Sequence, residues 1–313
     1  MNLSISLEMI RKTEGIKRLE NYVRDLIQLD RKHTALRLQE EELTYSTLYI
    51  LSSILQKHGM TKHLEDRYKV ALAIQRDILS SERSPATPFP YSICDMPQFI
   101  HSVLRWMVES GSEDNLNAKY RLVIDRAAGL LTTVYQDPED LTLVSDLLFR
   151  RRKLGHSTHY LTWAYFSSRN LSSLIPIAKR LISTDESDVQ LASELLHFVS
   201  GIEESEDRYS YFRSWYAENL PYLLQNKNNY ELTAELKPYI VDHHAKYMED
   251  QPDSLKRRSD NFHSLHEDVK EKLANYSYQL RMHSRKDWKV WMNSPLETQV
   301  RSIEEGQHDY NRR

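Results

Sequence analysis

Apolar residues recur along this chain at helical intervals. "NYVRDLIQL" sets Tyr22, Val23, Leu26, Ile27 and Leu29 largely on one stripe, and "LTYSTLYILSSIL" does the same with Leu43, Thr47, Leu48, Leu51 and Leu55. Gly59 follows the second stretch as a helix C-cap, and Gly111, Gly155 and Gly201 stand at equivalent places. The stretch "ERSPATPFPYSICDMP" (82–97) carries four prolines and cannot continue a helix, so it reads as a linker. The pattern predicts an all-α protein. Its parts are a helical N-terminal unit (1–81), the Pro-rich linker (82–97), an array of short helices (98–250), a long or broken C-terminal helix (251–293) and a flexible tail (294–313).

Composition supports helices. Seven glycines in 313 residues is less than half of ordinary usage. Tight hairpins and phosphate-cradling loops need glycine at positive φ, and this chain has little to offer them. Forty-two basic residues against 45 acidic ones leave no global field to draw the chain onto nucleic acid or an anionic membrane. The single cysteine, Cys94, excludes an internal disulfide and fits a reducing compartment. "MNLSISLEMIRKTEG" lacks the apolar core of a signal peptide, and no apolar run reaches membrane-spanning length. The expectation is a soluble cytoplasmic protein with no membrane partner.

One helical pair is clearer than the rest. In "LSSLIPIAKRLISTDESDVQLASELLHF", Leu171, Leu174, Ile175, Ala178, Leu181 and Ile182 fall on one face. Val189, Ala192, Leu195, Leu196 and Val199 do the same in the second helix. Ser183 and Glu186 have the spacing of a capping box, and Asp185 and Glu186 sit at the positive end of that helix. Each helix is too short to stand alone, so its stripe needs a neighbour.

These residues resemble a HEAT repeat, through Leu174 and Pro176 in the first helix, Asp185 in the turn, and Asp188-Val189 opening the second. Gln190 stands where that family usually has Arg. Two echoes accompany the pair. "NLPYLLQNKNNYELTAELKPYI" puts Pro221 45 residues after Pro176, and "LLTTVYQDPEDLTLVSDLL" puts Leu141 48 residues before Val189, spacings close to the family's period of about 40–47. Pro238 falls in the second helix of the last echo, which is expected to be kinked or split. The resemblance covers about 130–248 and implies a short HEAT-like α-solenoid, whose second helices would line a concave face. It implies a partner-binding ridge of Gln190, Glu194 and His197, continued by Thr142, Asp146, Phe149 and Arg150. Phe149 reads equally as an exposed anchor beside Arg150 or as a core residue.

Candidate chemistry is sparse. His156 and His159, like His263 and His266 with Glu267, have the i, i+3 spacing that puts two imidazoles on one helix face. Surface histidines explain both pairs more simply than a metal. Asp242-His243-His244 is similar to the signature of the DHH phosphoesterases, but that triplet ends a β-strand, whereas here the spacing reads as helical and no upstream Asp-x-Asp-Gly accompanies it. Two basic clusters offer phosphate contacts: Arg151 and Arg152, beside Arg150, and Lys256, Arg257 and Arg258. The aromatic run Tyr160, Trp163, Tyr165 and Phe166 reads as core, with Trp163 and Phe166 pointing inward. Cys94 lies beside Asp95, whose charge disfavours a thiolate. No catalytic residue, metal or cofactor is assigned. The leading expectation is a non-catalytic scaffold for a protein partner. The alternatives are a nucleic-acid-binding repeat protein and a metal-dependent hydrolase using the histidines.

Overall fold

The computed structural model describes residues 6–39, 43–81, 96–226, 237–249 and 261–310. The fold is all-α, with one short two-stranded ribbon among the described residues. The chain forms two compact units, Met1–Leu196 and His197–Arg313.

The first unit comprises α1 (Leu7–Glu14), α2 (Ile16–Leu29), α3 (Arg31–Arg37), α4 (Tyr45–Lys57), α5 (Asp66–Ser81), α6 (Pro97–Gly111), α7 (Ala118–Leu130), α8 (Asp140–Lys153), α9 (His159–Phe166), α10 (Leu174–Lys179) and α11 (Glu186–Leu196). The stripe of α4 is buried as the spacing predicts, at Leu43, Thr47, Leu48, Leu51 and Leu55. In α2 the buried set is Leu19, Val23 and Ile27, and Leu29 is 84% exposed.

No boundary separates 1–81 from the helices beyond the linker. Tyr45 stacks on Tyr120 with centroids 5.8 Å apart and meets Trp106 edge-on at 6.1 Å, while Tyr68 lies 5.4 Å from Trp106. The helices on either side of the proline-rich stretch therefore share an aromatic core. Residues 82–95 of that linker lie outside the described residues, and Pro97 opens α6 at a position where its missing N–H costs nothing. The expected array (98–250) spans the division between the two units at 196/197.

Gly59 and Gly155 hold positive φ directly after a helix, as C-caps require, whereas Gly201 takes its positive φ in the turns five residues beyond α11. Gly111 differs. It ends α6 inside the core, where an added Cβ would stand 2.7 Å from both Tyr120 Oη and Ile124 Cδ1. Close packing, not a left-handed turn, demands glycine there.

In the opening pair, one-turn 3₁₀ segments (Leu171–Ser173 and Arg180–Ile182) flank α10. The buried positions are Leu174, Ile177, Ala178 and Leu181, so the stripe begins at Leu174 and leaves Ile175 and Ile182 exposed. The capping box is absent: Asp185 Oδ1 accepts from Ser187 N at 2.9 Å, and Ser183 Oγ donates to Asp188 Oδ2 at 3.1 Å.

The second unit contains α12 (Arg208–Asn219), β1 (Leu223–Gln225), β2 (Tyr239–Val241), α13 (His243–Met248), α14 (Glu267–His283), α15 (Arg285–Asn293) and α16 (Leu296–Tyr310). Here the last HEAT echo fails. Leu220–Tyr222 is a 3₁₀ turn that closes α12, so the Leu-Pro-x-Leu-Leu motif ends a helix instead of opening one. Leu223, Leu224 and Gln225 then pair antiparallel with Val241, Ile240 and Tyr239, and Pro238 precedes the strand instead of kinking a helix.

The C-terminal helix is broken at Ser284, whose hydroxyl accepts from Asp287 N at 3.2 Å and restarts the chain as α15. The expected tail is instead α16, fifteen residues long. Ile303 joins a core of Tyr247, Phe262, Leu273, Trp288, Trp291 and Met292, with Val300 packed against it. Gln299, fully buried, donates to Trp291 O at 2.9 Å and accepts from Tyr247 Oη. An apolar pair at i, i+3 and a satisfied glutamine hold the segment as a helix.

Candidate functional site

Most of the ridge residues that the HEAT resemblance implies lie on α8 and α11, which pack against each other, with α10 also against α8. Thr142, Asp146, Gln190 and Glu194 are exposed and Arg150 is half-buried. Phe149 is a correction to the exposed-anchor reading: it is 2% exposed and belongs to the core. His197 follows α11 as the first residue of the second unit.

Charge pairs knit this face together. Arg180 Nη2 bonds Asp146 Oδ1 at 2.5 Å and Nη1 reaches Asp188 Oδ2 at 3.2 Å, while its guanidinium lies 5.1 Å from the Phe149 ring centroid. Arg152 Nη2 donates to Glu194 at 2.9 and 3.2 Å, and Gln190 Nε2 donates to the same carboxylate at 3.1 Å. Gln190, standing where the HEAT pattern has arginine, thus reaches along its own helix, and the cation that crosses from α8 to the Glu194 carboxylate is Arg152.

The basic run "RRRK" is matched acid by acid. Arg150 lies 3.6 Å from Glu113, Arg151 is 2.8 Å from Asp125, and Arg152 pairs with Glu194. Lys153 Nζ sits 2.9 Å from Asp185 and 3.0 Å from Asp188. Hydrogen bonds donated to Asp185 and Asp188 push the Lys153 ammonium above its ordinary value, and the bond accepted from Lys153 pulls Asp185 below its own. Arg151 is fully buried, so it is not a surface phosphate contact. Burial raises its partner Asp125 even though the guanidinium opposes that shift. Lys256, Arg257 and Arg258 lie outside the described residues.

The histidine pairs do not share helix faces. His156 precedes α9, 3.2 Å from the Asn115 amide, and His159 is the first residue of that helix. His263 stands before a turn and His266 is the N-cap of α14. His244 instead stacks on His263 at 4.7 Å. The helical reading of "LKPYIVDHHAKYM" is also corrected, because Asp242-His243-His244 does follow a strand. Asp242 is spent as the cap of α13, accepting from Ala245 N at 2.8 Å. His243 and His244 are both pushed below the ordinary histidine value, by burial first. Of the aromatic run, Tyr165 and Phe166 are buried and Trp163 only half so.

Sequence reasoning missed one group. His101 of α6, Asp137 of the α7–α8 turn and Asp140 of α8 bring one potential ligand atom each within 4.8 Å of the others. A histidine and a "QDPED" turn far apart in the chain carry no readable spacing, so only the packing of α6 on α8 reveals them.

Among the described residues, no helix is long and apolar enough to cross a membrane. No family model matches this chain, and neither a curated protein nor a solved structure does.

Proposed function

We propose that this chain is a non-catalytic helical scaffold that docks a protein partner on the face shared by α8 and α11. The supporting observation is that Thr142, Asp146, Gln190 and Glu194 stand exposed on two adjacent helices whose mutual position is braced by Arg152–Glu194 and Arg180–Asp146. A braced polar face keeps its shape before a partner arrives and so reduces the ordering cost of association. Pairing of each cation in 150–153 with an acid weighs against the nucleic-acid reading, since phosphate contact would have to displace an existing carboxylate. The HEAT resemblance and the reducing, cytoplasmic setting suggested by a single cysteine are consistent with this reading.

The test is chemical crosslinking and affinity capture from the native source, comparing wild type with Thr142→Arg/Gln190→Arg. Both positions are exposed, so the fold should persist, as checked by thermal midpoint. Loss of one specific partner supports the proposal. Equal recovery of the wild-type partners removes this face from the function.

A further inference from the structure

We propose that His101, Asp137 and Asp140 bind a divalent transition metal, with Zn²⁺ the best match, where α6 meets the turn into α8. Asp140 is fully buried. Its Oδ2 lies 2.6 Å from His101 Nε2, while Oδ1 is buried and takes no hydrogen bond. The nearest cation to Oδ1 is Arg105 Nη1, at 3.5 Å and outside hydrogen-bonding geometry.

A buried carboxylate oxygen without a bond is costly, and a metal ion is one of the few partners that compensates it. The position of Asp140 at the start of α8 favours negative charge but supplies no bond to Oδ1. The charge count points the same way. Asp137 lies close to Asp140, and the one guanidinium facing Asp140 is Arg105, whose Nε is already committed to Glu109 at 2.8 Å and whose Nη1 is shared between Glu139 and Asp140. Two positive charges on a single ion offset that excess.

Geometry is close to what an ion requires. Zinc with N and O ligands at about 2.0–2.2 Å holds their atoms roughly 3.5 Å apart, so the widest separation closes by about an ångström of side-chain rotation. The His101 ring stacks on Tyr135 at 4.9 Å, which fixes its plane with Nε2 toward Asp140. On binding, the metal takes the Nε2 lone pair, and any hydrogen there moves to Nδ1 or to solvent. One imidazole and two carboxylates leave room for water or a further ligand, and the mixed N/O set suits Zn²⁺ or Mn²⁺ better than Ca²⁺.

The full-length chain, stripped with chelator, is titrated with Zn²⁺ by calorimetry and its thermal midpoint is recorded. One equivalent should bind, with a rise in midpoint. Asp137→Asn keeps the side-chain oxygen that accepts from Glu139 N at 2.9 Å, so its metal-free midpoint should match wild type. Its Zn²⁺ affinity, and that of His101→Gln, should fall by about 100-fold or more. Co²⁺ serves as a second probe: visible absorption bands should form with wild type and be lost with His101→Gln. Absence of saturable Zn²⁺ uptake overturns the proposal. So does uptake that survives both variants undiminished, or that is abolished instead by His243→Gln/His244→Gln.

Discussion

Lys153 Nζ lies 3.0 Å from Asp188 Oδ1, joining the end of α8 to the first turn of α11. The carboxylate is 2% exposed and its other oxygen receives Arg180 and Ser183. Asp188→Asn retains the volume but removes the charge that two cations face. Those cations are part-exposed and can turn to water, so the expected loss is about 1–3 kcal/mol, read by chemical denaturation. A change within about 0.3 kcal/mol of wild type would show that this carboxylate is not a structural anchor.

Glu8 gives an acid-sensitive contact. Burial acts to raise its carboxyl, but hydrogen bonds from Arg11, Thr47 and Thr44 outweigh this and hold it at about 2, against an ordinary 4.5. A depressed folded-state value means stability that is complete above 4.5 and is lost as pH falls towards 2. Between about pH 5 and 2 the wild type should lose about 1–3 kcal/mol more than Glu8→Gln, a figure reduced from the full shift because the site is partly solvated. Parallel pH profiles for the two proteins would contradict this.

His243 and His244 should make the second unit sensitive at milder acidity. Burial lowers both, against the pull of Glu267, Glu271 and Asp242 on one or both, while Lys246 opposes protonation of His243 and His263 that of His244. The unfolded chain therefore takes up protons first, and stability present above the ordinary 6.5 is lost as pH falls below it. The midpoint should drop by about 2–4 °C between about pH 7.5 and 5.5, and His243→Gln/His244→Phe should flatten that slope.

Removal of α16 distinguishes a structural helix from a dispensable tail. Truncation after Pro295, or Ile303→Asp, disrupts the cluster that holds Ile303 together with Trp291 and Met292. A destabilisation of about 2–4 kcal/mol and red-shifted tryptophan emission are expected. Unchanged emission and midpoint would return the segment to the status of a tail.

Legibility in the sequence depends on locality. The α4 stripe can be read because Leu48, Leu51 and Leu55 repeat on one uninterrupted α-helical period. Periodicity misplaces Ile175 and Ile182 because the tight turns around α10 shift the stripe, and a 3₁₀ turn has no distinct sequence period at that length. Tyr239–Val241 reads as helix because a three-residue strand is too short to show alternation. Phe149 supports both of its readings until the packing of its neighbours decides between them. His101 and Asp140 are 39 residues apart, and nothing short of the tertiary fold could join them.

The acid-matched run at 150–153 carries a consequence for how this chain can change over time. Glu113, Asp125, Glu194 and the Asp185/Asp188 pair come from separate stretches, yet each answers to a neighbouring position of one short segment. Sign inversion at one end alone sets like charges together, whereas inversion at both ends restores attraction. Arg152→Glu with Glu194→Arg should therefore recover stability that either single replacement loses. Relatives of this chain would be expected to exchange these charges in couples, leaving a record of helix contacts in paired substitutions.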